Sequence, residues 1–231
     1  STVAHCSLAL LEFGTGEQKS RFLPPIARGE EVWTLALVEE PAGYSPAEIN
    51  MPAAAKGDGY VLSGSKVFVA DAHVADHMLV AARTGGSTGA DGITLFVVGG
   101  KEPGIKIERM PTMAGDRQFR VTFDKVSVPK ASVLGSVGKG WEIVDFILQR
   151  AAVLKCAEMS GACQAVLDMT SAYAKDRIQF DRPIGSFQGV QMKLADMVID
   201  VDAIQYLLYE AAWGIGIGKP SQLHISAAKA R

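Results

Sequence analysis

The period of the apolar positions changes twice along the chain. Val3, Cys6, Leu8, Leu11 and Phe22 recur at helical steps within residues 1–29, broken by Gly14 and Gly16 and closed by Pro24-Pro25. This predicts the tail of a helical region. From Glu31 onward the pattern is β-branched and alternating, over residues 32–39, 59–70, 77–82, 93–98, 104–110 and 120–128. Turn signals separate these runs: Pro41-Ala-Gly, Lys56-Gly-Asp-Gly, Gly85-Gly-Ser-Thr-Gly, Gly99-Gly-Lys-Glu-Pro-Gly and Met113-Ala-Gly-Asp. Short strands without intervening helices predict an antiparallel sheet folded on itself, a sandwich or barrel, in a domain of about 100 residues.

After Gly138-Lys-Gly the helical period returns. Trp141, Val144, Ile147, Ala151, Leu154, Cys156, Met159, Cys163, Val166, Met169 and Tyr173 mark one long amphipathic helix. Phe187, Val190, Leu194, Met197, Val201, Ile204, Leu208 and Ala211 mark a second, ended by Gly214, Gly216, Gly218 and Pro220, and a third starts near Ser221. Helices of that length suit a bundle. The fold class is therefore α+β in several domains: an antiparallel β sandwich or barrel flanked by helical parts, with ranges 1–30, 31–130 and 137–231.

Composition narrows the function. A net charge of −2, 48% hydrophobic and 21% charged residues, and a mean hydropathy of +0.15 describe a core-forming chain, not a disordered one. No run approaches the ~20 apolar residues of a membrane-spanning helix, and no basic block marks a nucleic-acid surface. Cys6, Cys156 and Cys163 are odd in number and without CxxC spacing, so neither a disulfide framework nor a metal site is expected and a reducing compartment is the default. The chain opens at Ser1 inside a periodic stretch and closes at Arg231 inside a helical run, so an internal segment of a longer protein is expected.

Common catalytic signatures are missing: His5, His73, His77 and His224 are scattered, with no HExxH and no Gly-x-Ser-x-Gly. The glycine-rich residues 85–92 lack the Lys-Ser/Thr of a phosphate loop and the βαβ context, and read as a hairpin tip. The informative segment is Arg177-Ile-Gln-Phe-Asp-Arg-Pro-Ile-Gly-Ser-Phe-Gln188. Read physically, Arg177 complements a helix C-terminus, Phe180 and Phe187 join the core, and Pro183 is a stop signal.

Its spacing, Arg-x-x-Phe-x-x-Pro-Ile-x-x-Phe-Gln, also resembles the helix junction of the acyl-CoA dehydrogenase family. Leu35-Ala-Leu-Val-Glu-Glu-Pro-Ala-Gly-Tyr-Ser45 resembles the family's Thr-Glu-Pro-x-x-Gly-Ser stretch, and Gly64-Ser-Lys-Val-Phe-Val-Ala-Asp its Gly-x-Lys-x-Trp-Ile-Thr-Asn segment. The resemblance implies the end of an N-terminal helical domain, a complete middle β domain and the first part of a C-terminal four-helix bundle. It further implies FAD. Leu37, Val38 and Glu39 would face the flavin ring, with Val38 in place of a Thr. Phe68, Val69 and Ala70 would follow, with Phe68 standing for the Trp that packs on the ring and Ala70 for a Thr. Arg177, Gln179, Phe180 and Gln188 would reach the pyrophosphate and adenine, often those of a neighbouring subunit, although Asp181 replaces a family Gly. Tyr44 and Ser45 would border the CoA. Arg150 would guard the CoA or acyl entrance, or is a solvated helix-face charge.

The implied reaction is α,β-dehydrogenation of an acyl-CoA thioester, in which a carboxylate takes the α-proton while the β-hydrogen leaves as hydride to flavin N5. That base is expected beyond Arg231, because Ala151 and Ala152 occupy the alternative position and Glu142, Asp145 and Glu158 read as helix-surface charges. The resemblance also implies electron-transfer flavoprotein as acceptor, a dimer of dimers, and a cytoplasmic or mitochondrial-matrix location. Two other readings are a non-catalytic partner subunit in a heteromer, motivated by Val38, Ala70 and Asp181, and a flavoprotein oxidase or monooxygenase on the same fold. Apolar stripes on the two long helices are expected to face helices and subunits beyond these residues, so the isolated segment should aggregate.

Overall fold

The computed structural model describes residues 2–41, 43–85 and 89–230. The predicted hairpin tip at 85–92 therefore lies partly outside the described residues. The chain divides into two compact units, residues 1–148 and 149–231.

In the first unit a π-helical turn (Thr2–Ser7) leads into α1 (Leu8–Phe13), and α2 (Gly16–Ala27) follows. The break between them is a capping box: Thr15 Oγ1 accepts from the Gln18 amide at 3.2 Å and Gln18 Oε1 from the Thr15 amide at 3.1 Å. The helix runs past Pro24-Pro25 and ends where the Arg28 and Gly29 amides close on the carbonyls of Pro24 and Ile26. Eight strands come next: β1 (Trp33–Ala36), β2 (Ala53–Lys56), β3 (Gly59–Ala70), β4 (His77–Arg83), β5 (Ile93–Gly99), β6 (Ile105–Met110), β7 (Gln118–Pro129) and β8 (Val133–Leu134). They form two separate four-stranded sheets, ordered β1-β4-β5-β8 and β2-β3-β7-β6, so the described architecture is a sandwich and not a closed barrel. Every pairing within them is antiparallel except β1 with β4.

Burial explains the two strand textures. Between the sheets, Met78, Val80 and Phe96 of the first meet Leu62, Val121 and Phe123 of the second. The other face of the first sheet, with Trp33, Leu79, Leu95 and Val97, is covered by Cys6, Leu10, Phe22 and Ile26 from the N-terminal helices and by Ile143, Val144 and Ile147. Those last three belong to the start of α3 (Gly140–Asp176). A sheet covered on both faces needs nearly continuous apolar strands, and β4 and β5 are buried along almost their whole length. One face of the second sheet is exposed, so β7 alternates Phe119, Val121, Phe123, then shifts phase to Val126 and Val128 across an irregularity at positive-φ Lys125.

His77 stacks on Trp33 with centroids 4.6 Å apart and meets the Phe22 ring edge-on at 5.1 Å. Burial lowers its pKa, opposed by the Glu31 carboxylate 3.4 Å from Nδ1. A folded-state pKa below the unfolded value gives a contribution that is complete above the unfolded pKa and is lost as pH falls through the lowered one. Replacing His77 by Phe, which keeps the stack, is expected to flatten the fall in stability below about pH 6.5, measured as urea midpoints of the two proteins against pH.

In the second unit, α3 continues to Asp176 and a two-residue ribbon follows, β9 (Ile178–Gln179) with β10 (Arg182–Pro183). Then come α4 (Gln188–Gly216) and α5 (Gln222–Ala230). Its core is small: Val153, Cys156, Leu208, Ala211, Ile225 and Ala228. Val166, Met169 and Tyr173 on α3, and Ile199, Tyr206, Tyr209 and Trp213 on α4, stay largely exposed. All three cysteines are free thiols, and burial pushes Cys6 up to about 12. No helix of the described residues is long and apolar enough to cross a membrane.

Candidate functional site

The first candidate group sits at a register shift in β3. Between Lys66 and Val69 the strand holds one residue more than its partner stretch Val121 to Phe119, a bulge that takes Phe68 to φ +54. Bulges re-aim side chains and recur beside active sites. Here Val67 turns into the core and donates its amide to the Val38 carbonyl at 2.8 Å, whereas Phe68 remains 47% exposed. The segment Leu37–Glu39, predicted as strand, lies past the end of β1: the Leu37 carbonyl accepts from Lys66 Nζ and the Val38 carbonyl from the Val67 amide, both on β3, instead of continuing the β1–β4 ladder. Leu37 and Val38 are buried. Among the described residues nothing takes up the Val38 or Glu39 amide N–H. An exposed aromatic face and unpaired amides on one short stretch suit a planar, acceptor-rich heterocycle.

Not every predicted residue offers its side chain. Val69 is fully buried in the sandwich core, so only its backbone is available there. The Ala70 carbonyl accepts from Thr34 Oγ1 at 2.7 Å. Asp71 stands at φ +52, a conformation that Asn and Asp tolerate better than other side chains, which accounts for the residue type at that position. The Glu39 carboxylate is committed internally: its oxygens accept from the Asn50 and Met51 amides at 3.0 Å and from Lys66 Nζ at 2.7 Å. Lys66 is wholly buried, and burial brings its pKa down to about 8 against the pull of Glu39. Local sequence does not single out this ion pair, because an alternating strand carries no mark that distinguishes a buried Lys from a surface one.

The segment predicted to border the CoA is a capped turn. Ser45 Oγ accepts from the Ala47 amide at 3.3 Å while Glu48 Oε2 accepts from the Ser45 amide at 2.9 Å. The Ser45 hydroxyl proton is left to donate, and the Tyr44 ring is 65% exposed. Arg83 at the end of β4 holds this turn: its guanidinium donates to the carbonyls of Ile49 and Pro46, each at 2.8 Å, and to those of Asp91 at 3.0 Å and Gly89 at 3.1 Å.

The other candidates belong to the second unit. Arg177 directly follows the C-terminus of α3, is exposed, and makes no ion pair among the described residues. The two central residues of the β9–β10 ribbon, Phe180 and Asp181, both have positive φ, +52 and +61, the conformation of a tight hairpin turn. Phe180 is 87% exposed, which corrects its reading as a core residue. Phe187 is partly shielded, its ring 6.1 Å from Phe180 and beneath the Arg182 guanidinium at 4.1 Å. Gln179 Nε2 bonds to its own neighbour's carbonyl, and Gln188 is exposed in the first turn of α4. Arg150 lies mid-helix on α3, partly buried. Positive φ at a non-glycine aromatic stores strain of about 1–3 kcal/mol, typical of functional sites. Phe180→Gly is therefore expected to raise stability by about 0.5–1 kcal/mol in denaturant melts while weakening cofactor affinity. A destabilised variant with unchanged affinity would contradict this.

The first unit also holds a cleft of about 460 Å³ bordered by Gln18, Arg21, His77, Glu102 and Lys130, and none of the sequence-predicted residues lines it.

The β sandwich is followed in the chain by two long helices joined through an Arg-bearing ribbon. Profiles for the middle domain and the C-terminal domain of acyl-CoA dehydrogenases match residues 34–126 and 138–231. The chain belongs to the acyl-CoA dehydrogenase family. It is 36% identical over 219 residues to a 3-(aryl)acrylate reductase of Clostridium sporogenes, covering 94% of this chain and 58% of that protein. Butyryl-CoA dehydrogenase from Megasphaera elsdenii superposes with a TM-score of 0.93 at 32% identity, over 98% of this chain and 60% of that one. A structure described as the FAD complex of PigA superposes with a TM-score of 0.92 at 26% identity, over 97% and 60% of the two chains. The chain thus spans about 60% of the length of the proteins it matches.

Proposed function

We propose that the whole protein carries out FAD-dependent α,β-dehydrogenation of an acyl-CoA thioester and passes the electrons to electron-transfer flavoprotein. The observation that supports this best is the bulge at Phe68 set against Leu37–Glu39, where an exposed aromatic face and unpaired amides fit a flavin ring. Bound there, FAD supplies the hydride acceptor. The chain's own part is to hold and orient. The Val38 and Glu39 amides donate to ring acceptors, and Phe68 covers one face and keeps water off it. Val38 and Ala70 in place of hydroxyl-bearing residues leave that cradle held by backbone donors alone. Arg177 pairs two diphosphate oxygens through its planar fork, Phe180 offers its exposed ring to the adenine, and Gln179 and Gln188 add hydrogen bonds. Tyr44, Ser45 and Arg150 border the CoA.

In this reading residues 1–30 end one helical domain, 31–130 form the middle domain and 137–231 begin a four-helix bundle. The exposed apolar residues of α3 and α4 take up further helices and neighbouring subunits in a dimer of dimers. The catalytic carboxylate comes from outside these residues, and the thiols suit a reducing compartment, cytoplasm or mitochondrial matrix. The test is the full-length gene product. It should purify yellow and bleach anaerobically with one of a series of acyl-CoA thioesters. Colourless protein that takes up no added FAD would overturn the proposal, and rapid oxygen consumption on turnover would move it to an oxidase.

A further inference from the structure

Lys66 is 0% exposed, and its ammonium makes two contacts, the Leu37 carbonyl at 3.1 Å and Glu39 Oε1 at 2.7 Å. Burying an ammonium costs several kcal/mol, and a well-packed apolar residue of the same volume often serves stability as well or better. What an apolar residue cannot do is hold three backbone segments in register. Lys66 stands at the bulge of β3. Its partner carbonyl belongs to the segment past β1, and its partner carboxylate also takes the Asn50 and Met51 amides of the turn that carries Tyr44 and Ser45.

The peptide plane makes the consequence specific. A trans peptide is rigid, so its N–H points away from its C=O. The Leu37 carbonyl and the Val38 N–H share one such plane, and the Val38 carbonyl shares the next with the Glu39 N–H. Lys66 Nζ fixes the first plane at 3.1 Å and the Val67 amide fixes the second at 2.8 Å. Adjacent residues of β3 thereby aim both unpaired donors, and Glu39 ties the same stretch to the 43–51 turn.

We propose that the buried Lys66–Glu39 pair is a positioning pair, which sets the direction of the Val38 amide toward the flavin and couples that amide to the acyl-CoA turn. This rests on the function proposed above and adds to it the residues that orient the donors. Neither side chain need touch cofactor or substrate.

The experiment compares wild type, Lys66→Met and Glu39→Gln in the full-length protein. The readouts are FAD dissociation constant, visible flavin spectrum, and kcat and KM for acyl-CoA. Val128→Ala, a cavity in the sandwich core opposite Tyr60 and at the other end of the β3–β7 ladder from the bulge, is the control for lost stability alone. Lys66→Met is expected to weaken FAD binding about tenfold, the scale of one misdirected hydrogen bond, to shift the flavin bands and to raise KM. Glu39→Gln keeps an acceptor but no charge and should do the same to a smaller extent. Val128→Ala should lower the melting midpoint and leave spectrum and affinity in place. Variants with wild-type affinity and spectrum, or a Val128→Ala protein altered to the same degree, would overturn the positioning role. Should Lys66→Met yield no folded protein, Glu39→Gln alone decides by the same criteria. A wild-type protein without FAD would refute the functional reading instead, so the two failures are distinct.

Discussion

Trp33→Ala is expected to lower the unfolding free energy by about 3–5 kcal/mol, the range for deleting a large aromatic from a packed core. Trp33 is fully buried on β1, edge-on to Phe22 at 5.0 Å and stacked on His77, and its indole N–H donates to Glu31 Oε2 at 2.8 Å. Alanine would leave a cavity where α2 meets the first sheet and free a carboxylate that also faces His77. Because β1 continues directly into Leu37–Glu39, the same substitution should release flavin at a lower temperature than wild type. Urea melts and flavin fluorescence during heating measure the two effects, and a loss under about 1 kcal/mol would mean that the layer between α2 and the sheet is loosely packed.

The second large effect is expected at Arg83. Among the described residues, the carbonyls that accept from its guanidinium include two from the 43–51 turn and two from the β4–β5 connection. Hydrogen bonds to a charged donor are worth about 1.5–3 kcal/mol each when they are not replaced by water. These are only partly shielded, so Arg83→Ala should cost about 3 kcal/mol in total. The functional signature should be a KM for acyl-CoA raised roughly tenfold with kcat changed less than about twofold, the pattern of lost ground-state binding. Arg83→Lys, which reaches fewer carbonyls, should fall between. An equal fall in kcat would place the turn in the chemical step and not in binding alone.

Much of the architecture was legible in local patterning. The three- and four-residue steps from Trp141 to Tyr173 and from Phe187 to Ala211 predicted α3 and α4, and Gly14 and Gly16 marked the break before α2. The β-branched texture of residues 77–82 and 93–98, bounded by turn signals, predicted strands there. It did not signal that the sheet of β4 and β5 is covered on both faces, because period alone cannot say what lies on either side of a strand. The short strands β2 and β8 went unseen for a related reason: Ala53–Lys56 and Val133–Leu134 are strands only because a neighbour pairs with them.

The candidate site divides in the same way. The family resemblance named Phe68, Arg177, Tyr44 and the 37–39 segment, because motif spacing survives in one dimension. Residue identity also determined that Val38 and Ala70 carry no hydroxyl. Three-dimensional structure decided which of these present a side chain, which present only backbone, and which are turned inward. The bulge that exposes Phe68 and the burial of Lys66 against Glu39 depend on pairings between residues far apart in the chain, whereas the strained turn that puts Phe180 in solvent is closed locally by Ile178–Gln179 and Arg182–Pro183. A carbonyl finds its donor, and a charge its partner, only when the two sheets are in place. The segments that make up the site are written in local sequence, and the direction in which each of their donors points is set by contacts that exist only in the folded protein.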